Sequence, residues 1–273
     1  MVPSAWYSGG RGPDLLAGFV PEDDNRAVAR RIHVSQVSVG EVLLDDREAH
    51  HVRDVLRLKE QTAVEAFDDV GNIGLGILKT VAAGRVSIAV ESIQPREVEE
   101  FNLVIAAAVP KAARADWMVE KLSELGVNTL IPLATDRSVS LPEGKNKLQR
   151  WVRLAEEAAK QSHRRGVMHI ESLTSLPETI KTARLAGDAW CLSTGPGTVP
   201  IAERIAQMTP GTLTLFIGPE GGWTVDEVTL FEQSGIPGVS LTRTILRIET
   251  AAIAAAAIVA SLQKSGNFAT SSK

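Results

Sequence analysis

From Asn102 onward the chain alternates between two kinds of segment. Short runs dominated by apolar residues ("NLVIAAAV", "TLIPLAT", "MHIES", "AWCLST", "LTLFIG", "GVSLT") are separated by longer stretches with helical periodicity. "NLVIAAAV" is apolar at nearly every position, which predicts a buried strand. Strands that alternate with helices admit few architectures, and the expected one is an α/β domain with a largely parallel sheet. "RADWMVEKLSELGV" puts Met118, Leu122 and Leu125 on one helix face, and Gly126 ends it. "NKLQRWVRLAEEAAKQSHRRG" reads as a long helix, again stopped by a glycine.

Upstream the pattern differs. "RRIHV", "GEVLLD", "TAVEAFD", "IGLGILKTV" and "RVSIAVESI" are short β-branched runs separated by Gly or Asp, the signature of a small, mostly β module. "DREAHHVRDVLRLKE" interrupts them, and Ala49, Val52 and Leu56 at helical spacing predict a helix there. "QPREVEE" reads as a linker. The expected organisation is a loose N-terminal extension (1–29), the β module (30–97), the α/β domain (101–265) and a short tail (266–273).

A net charge of -4 over 273 residues does not announce a nucleic-acid binder, although a local basic face is compatible with it. The single cysteine, Cys191, forms no internal disulfide and suits a reducing compartment. The first residues lack a basic start followed by an apolar core, and no run is long and apolar enough to span a membrane. A cytoplasmic location is expected.

"GPEGGW" (Gly218–Trp223) lies between an expected strand and an expected helix. Ligands of parallel sheets bind beyond the carboxyl ends of strands. Gly218, Gly221 and Gly222 permit positive φ and a close approach of backbone to ligand. Thr224 and Glu227 form a T-x-x-E capping box for the next helix. Neither a P-loop nor a G-x-G-x-x-G fingerprint is present. Glu220 would repel a phosphate, so the turn suits a cationic or hydroxyl-bearing ligand, or pairs its acid with a nearby Arg. A plain connecting turn is the alternative. In "SLTRTILRIETAAIAAAAIVASL" a helix begins near Glu249, favoured there by the helix dipole, with Arg247 at the same mouth. The alternative is a surface Arg–Glu pair. The alanine run allows close helix packing, possible also between subunits.

"LFIGPEGGWTVDE" followed by "SLTRTILRIETA" resembles the RsmE family of SPOUT-class methyltransferases, which methylate N3 of a uridine in 16S ribosomal RNA with S-adenosylmethionine. "RRIHV", "EAHHVRDVLRLKE", "VPKAARADWMVEKLSELGVNTLIPL" and "RWVRLAEEAAKQSHR" resemble other family segments in order, so the likeness runs from Arg30 to about Gln263. It implies a PUA-like β-barrel that helps bind RNA, then a SPOUT domain with a C-terminal trefoil knot, assembled as a homodimer. The implied cofactor contacts are Leu192, Thr194, Gly195, Gly218, Pro219, Glu220, Gly221, Gly222, Leu241, Ile245, Leu246 and Arg247. Two departures stand out. Thr242 and Thr244 occupy positions where the family often has Gly and Arg, and Lys160 replaces an acid in "KQSHR".

The implied chemistry needs the imide proton of N3 removed and charge on the flanking carbonyl oxygens stabilised. Arg247 is the expected stabiliser. Glu249, or else Glu220, is the candidate base. Pairing with Arg or capping of backbone amides is the alternative for both acids. Arg53, Arg57, Lys59, Lys111, Arg114, Arg164 and Arg165 are expected along the RNA path, with His163 beside them. His50 and His51 lack companion ligands for a metal, so none is expected. Another RNA target, or a non-catalytic RNA-binding or ribosome-assembly role, is the competing reading. The partner is either 16S ribosomal RNA or the assembled small subunit.

Overall fold

A computed structural model of the chain describes residues 30–82, 85–94, 101–138 and 145–264. The expected N-terminal extension, most of the linker and the C-terminal tail lie outside the described residues.

The five β-branched runs form β1 (Arg30–His33), β2 (Gly40–Leu43), β3 (Ala63–Phe67), β4 (Ile73–Ala82) and β5 (Arg85–Gln94). They make one sheet in the order β1-β3-β4-β5-β2. Only β1 and β3 run parallel. Among the described residues β1 and β2 do not pair, so backbone hydrogen bonds do not close the ring that a barrel implies. A parallel pair needs a crossover, and β2 with α1 (Asp46–His50) supplies it. The Asp45 carboxylate accepts the Glu48 N–H at 2.7 Å and starts α1.

The helix expected over 46–60 is shorter. It continues as one π-helical turn, His51–Val55, and the Leu56 N–H reaches the His51 carbonyl at 2.8 Å. Val52 and Leu58 pack on the same core. Six residues on, a straight helix would point Leu58 the other way. The chain therefore reverses, with Arg57 at a φ of 51°, and Arg57 and Lys59 stand beyond the helix.

The second sheet contains β6 (Asn102–Ala108), β7 (Thr129–Ala134), β8 (His169–Ile170), β9 (Thr174–Ser175), β10 (Asp188–Leu192), β11 (Val199–Pro200), β12 (Thr212–Ile217) and β13 (Gly238–Ser240). Its order is β11-β13-β10-β12-β6-β7-β8, with β9 also on β7, and every pairing is parallel. The helices are α2 (Ala113–Glu124), α3 (Lys145–Gln161), α4 (Leu176–Ala186), α5 (Ile201–Ile205), α6 (Val225–Gln233) and α7 (Ile248–Lys264). Strand alternation divides them between two faces. Leu213, Leu215 and Ile217 meet α2, α3, α5 and α7, whereas Phe216 meets α4 and α6.

Gly126 (φ 85°) ends α2 as expected, with Val127 N–H on the Leu122 carbonyl at 3.1 Å. Helix α3 ends differently. It stops at Gln161, and the left-handed residue is His163 (φ 55°), not a glycine. Gly166 is small for another reason: a Cβ there would sit 2.9 Å from the Asp69 carbonyl oxygen of the first sheet.

Helix α3 joins the two sheets. Phe67, Ile73 and Ala159 form a shared apolar cluster. Arg31, buried under it, donates from Nη1 to the carbonyls of Ala159 (3.1 Å) and Arg164 (2.7 Å) and from Nε to Glu65 (2.5 Å). Lys160 Nζ meets Glu48 Oε1 at 2.5 Å, with side chains 9% and 2% exposed. Arg47 pairs with Glu156 alongside. The family departure at Lys160 therefore has a buried partner in this chain.

His33 Nε2 lies 2.8 Å from Asp69 Oδ1 at the same junction. Burial lowers the imidazole pKa, but the hydrogen bond and charge of Asp69 outweigh it and the net value lies above 6.5. The His33 hydrogen bond holds Asp69 below 3.8. A raised histidine contributes stability that is complete below pH 6.5 and is lost as pH rises through the folded value. The Asp69 contribution is lost only as pH falls through its own lowered value. Urea midpoints measured at about pH 6 and about pH 8 should therefore fall more in the native chain than in Asp69→Asn.

Candidate functional site

Strands β13, β10 and β12 lie side by side, and all three end at the same edge of the sheet. The loops that follow them enclose a cleft of about 380 Å³. Leu192, Thr194, Gly218, Pro219, Glu220, Gly221, Gly222, Leu241, Ile245 and Leu246 line it, as the resemblance implies. Gly195 and Arg247 do not. The Gly195 N–H is taken by Ser193 Oγ at 3.0 Å. Arg247 instead lines an adjoining opening of about 560 Å³ with Arg114, Glu220, Ile245 and Leu246. Ser193, Ile217, Trp223 and Ile248 line the cleft without having been singled out.

The three glycines of the turn do different work. Gly222 alone has positive φ (70°), and its N–H closes the turn on the Pro219 carbonyl at 2.9 Å. Gly218 is required by space, since a Cβ there would fall 2.8 Å from the Trp223 ring. That ring cannot retreat freely. Its Nε1 donates to the Leu192 carbonyl at 3.2 Å, and it packs edge-on against Phe231 with centroids 4.9 Å apart. Gly221 faces the flexible Arg137 side chain at 3.2 Å, the mildest conflict of the two glycines that meet a side chain.

Three further ties hold the turn. The capping box forms, with the Thr224 N–H on Glu227 Oε2 at 2.7 Å. The other Glu227 oxygen accepts the Asp136 N–H at 3.0 Å, which fastens the loop after β7. From that loop Arg137 Nη1 donates to the Gly221 carbonyl at 2.7 Å. Glu227 was visible as a cap, but nothing in the sequence links Arg137 to a turn 84 residues away. Thr242 Oγ1 donates to the Thr244 carbonyl at 2.8 Å, so the two departures fold the last loop on itself.

The acids do not pair as the local sequence suggests. Glu220 Oε1 accepts Arg114 Nη1 at 2.7 Å. Glu249 is only 4% exposed, and its near cation is the same Arg114, at 3.6 Å. Arg247 points outward and makes no ion pair with Glu249 among the described residues. Glu249 Oε2 is buried without a hydrogen-bond partner there. The alternative of a surface pair between Arg247 and Glu249 therefore does not form among the described residues, and the cation beside Glu249 comes from α2. Helix α2 starts beside the turn, which the sequence separation hid.

The expected RNA-facing cations are scattered. Arg57, Lys59 and Lys111 are exposed. Arg53 pairs with Asp54 at 2.6 Å. Arg164 turns inward, donating to the Ser123 carbonyl at the end of α2 at 3.2 Å, and Arg165 packs on Gly71. These last two are half-buried and serve the junction of the sheets. His50 Nδ1 lies 2.7 Å from Asp54. Burial pushes the Cys191 thiol up to about 12, so it is a core group and no nucleophile at neutral pH.

A family model described as an RNA methyltransferase domain matches residues 97–260, and one described as an RNA methyltransferase PUA domain matches residues 44–91. A ribosomal RNA small subunit methyltransferase E from Bacillus subtilis is 31% identical over 214 residues, covering 75% of this chain and 83% of the relative. One from Synechocystis is 29% identical over 261 residues, covering 93% and 85%. A solved structure of the enzyme of that name from Neisseria gonorrhoeae, bound to S-adenosyl methionine, superposes with a TM-score of 0.75 at 25% identity, covering 86% of this chain and 97% of that one. The two sheets, the cleft at the strand ends and these likenesses agree: the chain belongs to the RNA methyltransferase family, an α/β methyltransferase fold joined to a PUA-like domain.

Proposed function

We propose that this chain methylates N3 of a uridine in the 16S ribosomal RNA of the small ribosomal subunit, with S-adenosylmethionine as donor. The observation that carries the reading is the cleft built by the loops after β10, β12 and β13. Its volume is in the range of small-molecule sites, and Gly218 lets the Trp223 ring close against the turn that lines it. Leu192, Gly218 to Gly222, Leu241 and Leu246 would hold the cofactor, which when bound supplies a methyl group on a sulfonium.

The adjoining opening suits the nucleotide. Arg247 and Arg114 line it and face the place where the uracil carbonyl oxygens would gather charge. Of the two roles open to Glu249, burial favours the second: it lines neither the cleft nor the opening, and it holds Arg114 in place together with Glu220. The N3 proton then leaves through the open mouth to solvent. Arg247→Ala should lower kcat about 100-fold while S-adenosylmethionine affinity stays unchanged. A methylation assay on small subunits, with the modified nucleotide mapped, tests the whole reading. Product at another atom or another RNA would overturn it.

The finer architecture belongs to the same reading. Strand β13 lies between β10 and β11, and Leu192 and Val199 face Val239 from either side. Residues 193–198 therefore arch over β13, which supports a SPOUT fold with a trefoil knot. The two sheets support domains at 30–97 and 101–265. Half-exposed Trp117 on α2 and the alanine-rich α7 support a homodimer through the larger domain. Among the described residues no helix is long and apolar enough to cross a membrane, in keeping with a cytoplasmic enzyme.

A further inference from the structure

A groove of about 260 Å³ lies between the end of α3 and the first sheet, and it shares no lining residue with the cleft. Arg30, His51, Leu56, Gln161 and His163 line it, with Glu157 and Lys160 on one wall. The charges beneath it are already used: Lys160 meets Glu48 and Glu157, and Arg31 meets Glu65. Arg30 is exposed and has no ion pair among the described residues, and neither do His51 and His163. Arg30 therefore keeps its charge free on the open side.

Two features mark the groove as built. His163 has a φ of 55° at the end of α3, where glycine is the unstrained choice. A bulky residue kept in a strained conformation points to use of its side chain. The walls are also fixed. Arg31 spans from β1 to the Ala159 and Arg164 carbonyls, and the Lys160–Glu48 pair crosses the same boundary. Binding there would cost little ordering.

We propose that this groove is a second RNA site, which takes a backbone phosphate through the Arg30 guanidinium with N–H donors from His51, Gln161 and His163. The proposal rests on the RNA methyltransferase reading above. A guanidinium fork and N–H donors fit phosphate oxygens and carry no base code. The groove lies at the carboxyl ends of α2 and α3, where Arg164 meets Ser123, whereas Arg114 stands at the opposite end of α2. At 1.5 Å per residue that separation is roughly 14 Å. The groove therefore holds RNA away from the reacting nucleotide, and it contributes to binding without touching methyl transfer.

The test uses the full chain with Arg30→Gln and His163→Gly, the latter keeping the left-handed backbone. Lys181→Gln, an exposed cation on α4, is the charge-matched control. Binding of transcribed small-subunit ribosomal RNA is measured against salt. Each groove variant should weaken binding several-fold, and Arg30→Gln should reduce the slope of log K against log salt by about 1. On assembled small subunits the KM should rise, with kcat at saturation and S-adenosylmethionine affinity unchanged and the urea midpoint no lower than that of the native chain. Slopes and affinities equal to the native chain, or losses matched by Lys181→Gln, would overturn the proposal. If native protein methylates subunits while the variants behave as native, the groove alone is wrong. If native protein neither binds nor methylates the RNA, the underlying reading falls with it.

Discussion

Gly218→Val is expected to abolish measurable S-adenosylmethionine binding, a loss of more than about 1000-fold or roughly 4 kcal/mol. The first added carbon would fall 2.8 Å from the Trp223 ring, closer than packed atoms come. Trp223 cannot yield cheaply, because its N–H is held by the Leu192 carbonyl and its ring by Phe231. Any shift of the ring would move two of the three loops that form the cleft. Gly221→Ala is the contrasting control. Its new carbon meets only the Arg137 stem at 3.2 Å, which can rotate away, so affinity should fall by less than about tenfold. Calorimetric titration of both variants reads the difference. Equal losses at the two positions would mean that glycine is needed in this turn for flexibility and not for space.

Lys160→Glu, which restores the acid that the family often carries, should destabilise this chain by about 3–5 kcal/mol. Lys160 is buried against Glu48 and reaches Glu157 at 2.9 Å. Glu156 is one helical turn away along α3. Reversing the charge would gather four carboxylates around a site almost closed to water. Urea unfolding at neutral pH measures the loss, and Glu48→Lys combined with Lys160→Glu should recover part of it. A neutral Lys160→Glu would show that the pair adds nothing to the junction. The two substitutions separate two kinds of constraint: Gly218 answers to the ligand cleft, Lys160 to the seam between the sheets.

The main strands and helices were legible because they follow from local pattern. β6 and β12 are apolar at successive positions because α2, α3 and α7 cover one face and α4 and α6 the other. The capping box at Thr224 and Glu227 needed only a spacing of three. Errors arose where distant packing overrode local signals. The helix after Asp46 ends early because Leu58 must return to the core shared with Val52. His163, and not Gly166, turns the end of α3, since Gly166 is reserved for contact with Asp69.

The site divides in the same way. Glycines, a capping acid and a helix start at Ile248 can be read along the chain, because turn geometry and helix ends involve neighbours in sequence. Which cation meets which acid cannot. Glu249 has Arg247 two residues away and yet contacts Arg114, 135 positions earlier, because α2 begins beside the glycine turn. Arg137 reaches the Gly221 carbonyl, and Lys160 reaches Glu48, for the same reason. Periodicity and spacing along this chain determined its elements and the place of its cleft. Long-range charge pairing, the separate duties of the three glycines and the groove beside α3 were decided only when the sheets packed, because side chains act through space at distances that separation along the chain does not encode.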